Sequence, residues 1–218
     1  MKEKPELIRR SYTCEVRANE DDKGAIIEGK PIVYDSVADL GFMNEIIEKG
    51  ALDETDLTDV RFLVNHNLEM IPLARSRKNN KNSTMQLMPD DTGLPIKAHI
   101  DTQNNDTARS LYSAVQRGDI TGMSFLFSVG DEEWEDLDTD KPTRRIKKIS
   151  SVVEVSAVTM PAYEDTEIYA RDKSKLESLR QTLESEKQKR AKSLENDHKS
   201  KLDFEARALL AMYGGKGK

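Results

Sequence analysis

Between Arg171 and Met212 the chain carries neither proline nor glycine, whereas the residues before it are short apolar runs interrupted by turn residues. Backbone punctuated that often cannot run as long helices, and the unpunctuated stretch, rich in Lys, Glu, Leu, Gln and Arg, has high helix propensity throughout. The contrast predicts a β-rich α+β domain over residues 11–170 and a long charged helical tail over residues 171–218. Charge divides at the same place. From Arg171 onward there are 13 Lys/Arg against 8 Asp/Glu, which leaves 21 against 32 in residues 1–170. So acidic a body argues against nucleic-acid binding. The basic tail reads either as a solvated helix or as a contact for an acidic partner. With 34% charged residues and a mean hydropathy of −0.71, the 218 residues are too polar for one packed globule and require a solvated extension.

No apolar run approaches the length that spans a bilayer. The N-terminus, Met1-Lys2-Glu3-Lys4-Pro5, has mixed charge and no apolar stretch behind it, unlike a secretory signal. Cys14 is the only cysteine, which rules out an intramolecular disulfide and argues against a cysteine-based zinc site. These features predict a soluble intracellular protein with no membrane partner. The acidic stretches Asp131-Glu132-Glu133 and Asp136, Asp138, Asp140 lack the spacing and glycine of a calcium loop, so neither metal nor cofactor is expected.

Extended, partly alternating patterns predict a hairpin over residues 11–35 with its turn at residues 19–24. Further strands are expected at residues 42–48, 59–64, 85–88 and 94–100. One helix follows, capped by Asp106, with Ala108, Leu111, Tyr112 and Val115 at helical spacing and a stop at Gly118. A strand over 120–129, a hydrophilic loop over 130–143, and strands over 144–149 and 152–159 complete the domain. Many short strands with one internal helix suggest a closed or nearly closed β fold. In the tail, Leu176, Leu179 and Leu183 begin an apolar stripe. Glu186, Arg190 and Ser193 interrupt it, so a sustained coiled coil is not expected.

Three residues within this frame have the chemistry of a serine hydrolase: His66 in Asn65-His66-Asn67, Ser124 in Gly122-Met123-Ser124-Phe125, and Glu154 in Val153-Glu154-Val155-Ser156. An imidazole, ordinarily titrating near pH ~6.5, can accept a serine proton near neutrality. His66 falls at the end of an apolar strand, where it is either an ordinary surface histidine or such a base. Ser124 sits among apolar neighbours and, if buried, needs a partner: either a backbone carbonyl or the His66 imidazole. Glu154 alternates with valines. It is either an outward charge on an edge strand or the carboxylate that orients His66. Of the other two histidines, His99 lies in a strand as a reserve candidate and His198 lies among charges in the tail. The absence of Gly-x-Ser-x-Gly excludes an α/β-hydrolase elbow.

The flanking residues form an ordered series: Gly29-Lys30-Pro31-Ile32-Val33-Tyr34-Asp35-Ser36, then residues 42–52, then Asp59-Val60-Arg61-Phe62-Leu63-Val64-Asn65-His66-Asn67. Pro72-Leu73-Ala74-Arg75-Ser76, Asp91-Thr92-Gly93-Leu94, Gly122-Met123-Ser124-Phe125 and residues 154–163 continue it. Over residues 11–170 this series resembles the HK97-type prohead (procapsid maturation) proteases of tailed phages. The chain departs from that pattern at Ala74 and Leu126, where the family often has glycine or a small residue.

The resemblance implies an assemblin-like closed β-barrel with peripheral helices. It implies a cofactor-free serine endopeptidase with Ser124 as nucleophile, His66 as general base and Glu154 as the third member. The region around Arg144 and Arg145 is a source of oxyanion donors by analogy with assemblins. The implied partners are the major capsid protein precursor and its scaffold segment, together with the protease itself through autocleavage and self-association. The implied setting is the assembling procapsid in the host cytoplasm. The tail would target the enzyme there and be removed by self-cleavage. The rival reading is a non-enzymatic capsid scaffolding protein.

Overall fold

The computed structural model describes residues 7–78, 82–159 and 173–213. In chain order the first strands are β1 (Leu7–Thr13), β2 (Arg17–Asp21), β3 (Gly24–Val33), β4 (Val37–Asp39) and β5 (Asn44–Ile47). Then come β6 (Asp59–Val64), β7 (Ala74–Arg77), β8 (Met85–Leu87) and β9 (Gly93–His99). Helix α1 (Asp106–Gln116), strands β10 (Gly122–Glu135) and β11 (Thr143–Val158), and helix α2 (Lys173–Tyr213) complete the order. The chain divides into two compact units, Met1–Arg171 and Asp172–Lys218. The second unit holds α2, on which Leu179 and Leu183 are buried and residues 188–201 are exposed. No helix among the described residues is long and apolar enough to cross a membrane.

Strand β10 is the centre of the first unit because Gly122–Ser128 are small or apolar on both faces, and all seven are buried. It pairs antiparallel with β1 on one edge and β11 on the other. The free edge of β11 takes two parallel partners, β5 over Thr143–Ile146 and β6 over Glu154–Ala157. Strands β4 and β7 add to β5 and β6, which makes a seven-stranded sheet. A second sheet has the order β2-β3-β9-β8. The two sheets share a core in which Phe62, Phe125, Phe127, Ile27, Leu94 and Ile96 are almost fully buried. Gly29 of β3 lies so close to Met123 of β10 that a Cβ there would stand 2.7 Å from the methionine sulfur.

The β-rich α+β class holds, but backbone pairing among the described residues makes two open sheets rather than the expected closed barrel. Two seams account for this. The expected hairpin forms as β2 and β3, with its turn at residues 21–24, but residues 11–13 end β1 in the other sheet, and the chain passes between the two through Cys14-Glu15-Val16. Between β7 and β8, side-chain hydroxyls take the place of a backbone ladder. Arg75 N–H donates to Thr84 Oγ1 (2.8 Å) and Arg77 N–H to Ser83 Oγ (2.9 Å).

Of residues 130–143, expected as a hydrophilic loop, residues 130–135 extend β10 and Thr143 begins β11, leaving only 136–142 as the connection. The expected strands 144–149 and 152–159 are one continuous β11. Cross-strand charge explains why so polar a segment pairs: Glu135 meets Arg145 (2.8 Å), Glu133 meets Lys147 and Glu132 meets Arg144. Register shifts between Leu126 and Glu132 bend the long ribbon. In α1 the cap is Asn105, whose Oδ1 accepts from Thr107 N (3.0 Å) and Ala108 N (3.1 Å), so Asp106 is the first helical residue rather than the cap. The helix stops at Gly118, with φ +77°, as expected.

One buried ionic cluster ties the seven-stranded sheet together. Glu45 of β5 is fully buried and accepts from Arg10 Nη2 (2.7 Å) and Arg144 Nη1 (3.1 Å). Arg144 also donates to Glu132 (2.8 Å) and lies 5.9 Å over the Trp134 ring. Burial pushes the Glu45 carboxyl up, but the charges and hydrogen bonds of Arg10 and Arg144 outweigh it and hold the group below its ordinary value of 4.5. Glu45→Ala should cost about 3–5 kcal/mol, because it strands two guanidinium groups in the interior. A chemical-denaturation midpoint checks this. The contribution of Glu45 is present above its unfolded-state pKa and is lost as pH falls below it through the depressed folded value.

Candidate active site

The base candidate stands on an unusual turn. Strand β6 buries Val60 and Phe62 and ends at Val64, after which Asn65 (φ +53°) and His66 (φ +58°) both adopt left-handed backbone. Asparagine tolerates that region better than most residues, but two consecutive residues there need outside support. Strand β11 supplies it. Asn65 N–H donates to Ala157 O (3.0 Å), and Asn65 Oδ1 accepts from Thr159 N (3.0 Å) and Thr159 Oγ1 (3.2 Å). His66 N–H donates to Ser156 Oγ (3.0 Å). Asn67 then closes the turn, its N–H on Val64 O (3.1 Å) and its Oδ1 accepting from Glu69 N (3.1 Å). Each residue of Asn65-His66-Asn67 therefore has a distinct task in one turn.

The imidazole of His66 points at Glu154, with Nδ1 2.8 Å from Oε2. Glu154 is fully buried and lies on β11 between β10 and β6, so it is not an outward charge on an edge strand. Its second oxygen accepts from Ser156 Oγ (2.6 Å). A carboxylate can only accept, so Nδ1 carries a proton, and in the neutral imidazole the lone pair is then on Nε2. Among the described residues, Nε2 is buried without a hydrogen-bond partner. This is the tautomer that a general base for a serine hydroxyl requires.

Ser124 is the register partner of Ser156 on the neighbouring strand, so the two side chains share a face with Glu154 two residues along. Ser124 is fully buried. Its Oγ donates to Arg10 O (2.7 Å) and accepts from Ser11 Oγ (2.8 Å), both on β1. Ser124 thus lies on the strand adjacent to the one that bears Glu154, with its hydrogen bonds made to a backbone carbonyl and a serine rather than to the imidazole. Leu126, one of the two departures from the family pattern, lies directly opposite Glu154.

The remaining sequence candidates fall elsewhere. His99 lies in the four-stranded sheet, 3.0 Å from Asp21 Oδ2. Lys97 and His99 hold the Asp21 carboxyl well below the usual carboxylate range. His198 is exposed on α2. Arg144 is committed to Glu45 and Glu132, and Arg145 to Glu135, at the end of β11 far along the strand from Ser156. The parts that sequence reasoning left without a role are Ser156, Asn65 and Thr159. The alternation Glu154-Val155-Ser156 carried the signal, since i and i+2 of a strand share a face.

A histidine ordered by a buried carboxylate, beside a serine on the adjacent strand, is the equipment of a serine peptidase. Comparison with known proteins gives the kind. The family model for the caudovirus prohead serine protease matches residues 12–182, and the chain belongs to that family. It is 29% identical over 172 residues to the prohead protease of Enterobacteria phage HK97, covering 76% of this chain and 69% of that one. It is also similar to the capsid assembly protease of bacteriophage T4, at 15% identity and a TM-score of 0.41, covering 72% of this chain and 99% of that one. The chain is a serine peptidase of phage capsid maturation.

Asn65→Ala should cost about 1–2 kcal/mol in backbone strain and about 1 kcal/mol more for the lost contact to Thr159. Asn65→Gly should recover the first part only. Thermal melts of the two variants beside the parent separate the contributions.

Proposed function

We propose that the chain is an endopeptidase in which Ser124 is the nucleophile, His66 the general base and Glu154 the group that orients it. The observation that carries this reading is the buried His66–Glu154 contact of 2.8 Å, which leaves Nε2 as an unpartnered acceptor beside the strand that bears Ser124. In the reaction Ser124 Oγ turns from Arg10 O to Nε2, gives up its proton there and bonds to the scissile carbonyl carbon. The imidazolium so formed faces the Glu154 carboxylate through Nδ1–H. Collapse of the tetrahedral intermediate passes the Nε2 proton to the leaving amine. His66 then takes a proton from water as the water oxygen bonds to the acyl carbon, and collapse of this second tetrahedral intermediate breaks the bond to Ser124 Oγ and returns the Nε2 proton to it.

The substrates in this reading are the major capsid protein precursor, its scaffold segment and the protease itself, cut inside the assembling procapsid in the host cytoplasm. Family membership and the likeness to a protein named a prohead protease support it. Residues 171–218 would deliver the enzyme into the particle and be lost by self-cleavage. Residues 11–170 would be the protease domain. Membership in a serine protease family and the ordered His66–Glu154 pair disfavour a purely scaffolding role.

Ser124→Ala should lower precursor cleavage by a factor of about 10³–10⁶, and Glu154→Gln by about 10⁴. Intact mass spectrometry of each chain, incubated alone and with the precursor, reads both. Fragments from the Ser124→Ala chain at the parent's rate would refute the assignment. Truncation after residue 171 should reduce incorporation into particles, measured by gel densitometry of purified procapsids; unchanged incorporation would refute the targeting role.

A further inference from the structure

We infer that Ser156 is a positioning residue for the reaction, acting on the base through both its backbone and its carboxylate. The inference rests on the assignment of His66 and Glu154 made above. Three hydrogen bonds close a ring. His66 N–H donates to Ser156 Oγ (3.0 Å), Ser156 Oγ–H donates to Glu154 Oε1 (2.6 Å), and Glu154 Oε2 accepts from His66 Nδ1 (2.8 Å). Every proton in the ring has one consistent direction, because the backbone N–H only donates and the carboxylate only accepts. A hydroxyl is the one small group that can stand between them, accepting from the first and donating to the second.

The ring fixes two separate freedoms. The bond to His66 N–H holds the left-handed turn at φ +58° on which the imidazole is mounted. The bond to Oε1 stops the Glu154 carboxylate from rotating, so that Oε2 stays on Nδ1 and the lone pair stays on Nε2. Ser156 and Glu154 are both fully buried, so water does not readily replace the missing hydroxyl. Ser156 touches no reacting atom in this arrangement. Its whole effect passes through His66 and Glu154.

The test uses the full chain and its Ser156→Ala, Ser156→Thr, Glu154→Gln and Ser156→Ala/Glu154→Gln variants. Steady-state cleavage of the capsid-protein precursor gives kcat and KM, and ¹H–¹⁵N spectra follow the low-field His66 Nδ1–H signal. Ser156→Ala should lower kcat about 10- to 100-fold with KM unchanged, the loss expected for a hydrogen bond to a charged group. Ser156→Thr, which keeps the hydroxyl, should restore most of the rate. In the Glu154→Gln background, Ser156→Ala should cost less than it does in the parent, since the route through the carboxylate is already gone and only the route through the His66 backbone remains. The Nδ1–H signal should broaden or vanish in Ser156→Ala and persist in Ser156→Thr.

A parental rate and an intact Nδ1–H signal in Ser156→Ala would overturn the inference. So would an equal loss in both backgrounds, which would leave the carboxylate route without effect. If Ser156→Ala does not fold, Ser156→Cys takes its place, being near in size but a weak donor. Parental activity in Ser124→Ala or His66→Ala would instead sink the catalytic assignment, while the Nδ1–H signal would still report whether Ser156 holds the ring.

Discussion

The antiparallel pairing of β10 with β11 is the constraint on which the rest of this protein depends. It sets Ser124 opposite Ser156 and Leu126 opposite Glu154, and so fixes which residues share the site face. The same β11 gives its other edge to β6, and through β6 to the turn that carries His66. All three proposed catalytic residues are thus referred to a single strand. Strands are a precise mount for such groups, since neighbouring backbones are held about 4.8 Å apart by their hydrogen bonds.

The buried cluster around Glu45 serves the same sheet from its other end. Arg10 belongs to β1, Glu45 to β5 and Arg144 to β11, so one carboxylate joins three strands that are not neighbours in sequence. Arg10 also gives its carbonyl to Ser124. The residue that anchors β1 in the interior is therefore the residue whose carbonyl accepts the hydrogen bond of Ser124, the proposed nucleophile. The structural cluster and the candidate site meet at Arg10.

The sequence disclosed much of the site because its residues sit at the ends and faces of short elements. His66 after an apolar run and Glu154 among valines were legible, and their pairing is present at 2.8 Å. The partner of Ser124 was not. Both a carbonyl and an imidazole satisfy a buried hydroxyl, and only the placement of β1 against β10 decides for Arg10 O. Asp131–Glu135 read as a loop by their polarity, yet Glu132, Glu133 and Glu135 are answered across the ribbon by Arg144, Lys147 and Arg145. Pairing of that kind is tertiary information. The closed barrel suggested by the pattern fails at the β7–β8 seam, where Thr84 and Ser83 hydroxyls stand in for the ladder, a substitution invisible to periodicity.

The left-handed turn at Asn65 and His66 has a consequence for how such a chain can diverge. The turn is not self-supporting, because apart from Asn67 N–H on Val64 O its bonds end on Ser156 and Ala157 of a strand ninety residues away and on Thr159 just past that strand. The two segments must therefore be inherited together. A chimaera that took its histidine turn from one relative and its last strand from another would need compatible residues at both ends, and recombination between them would separate a pair of parts that have meaning only in company.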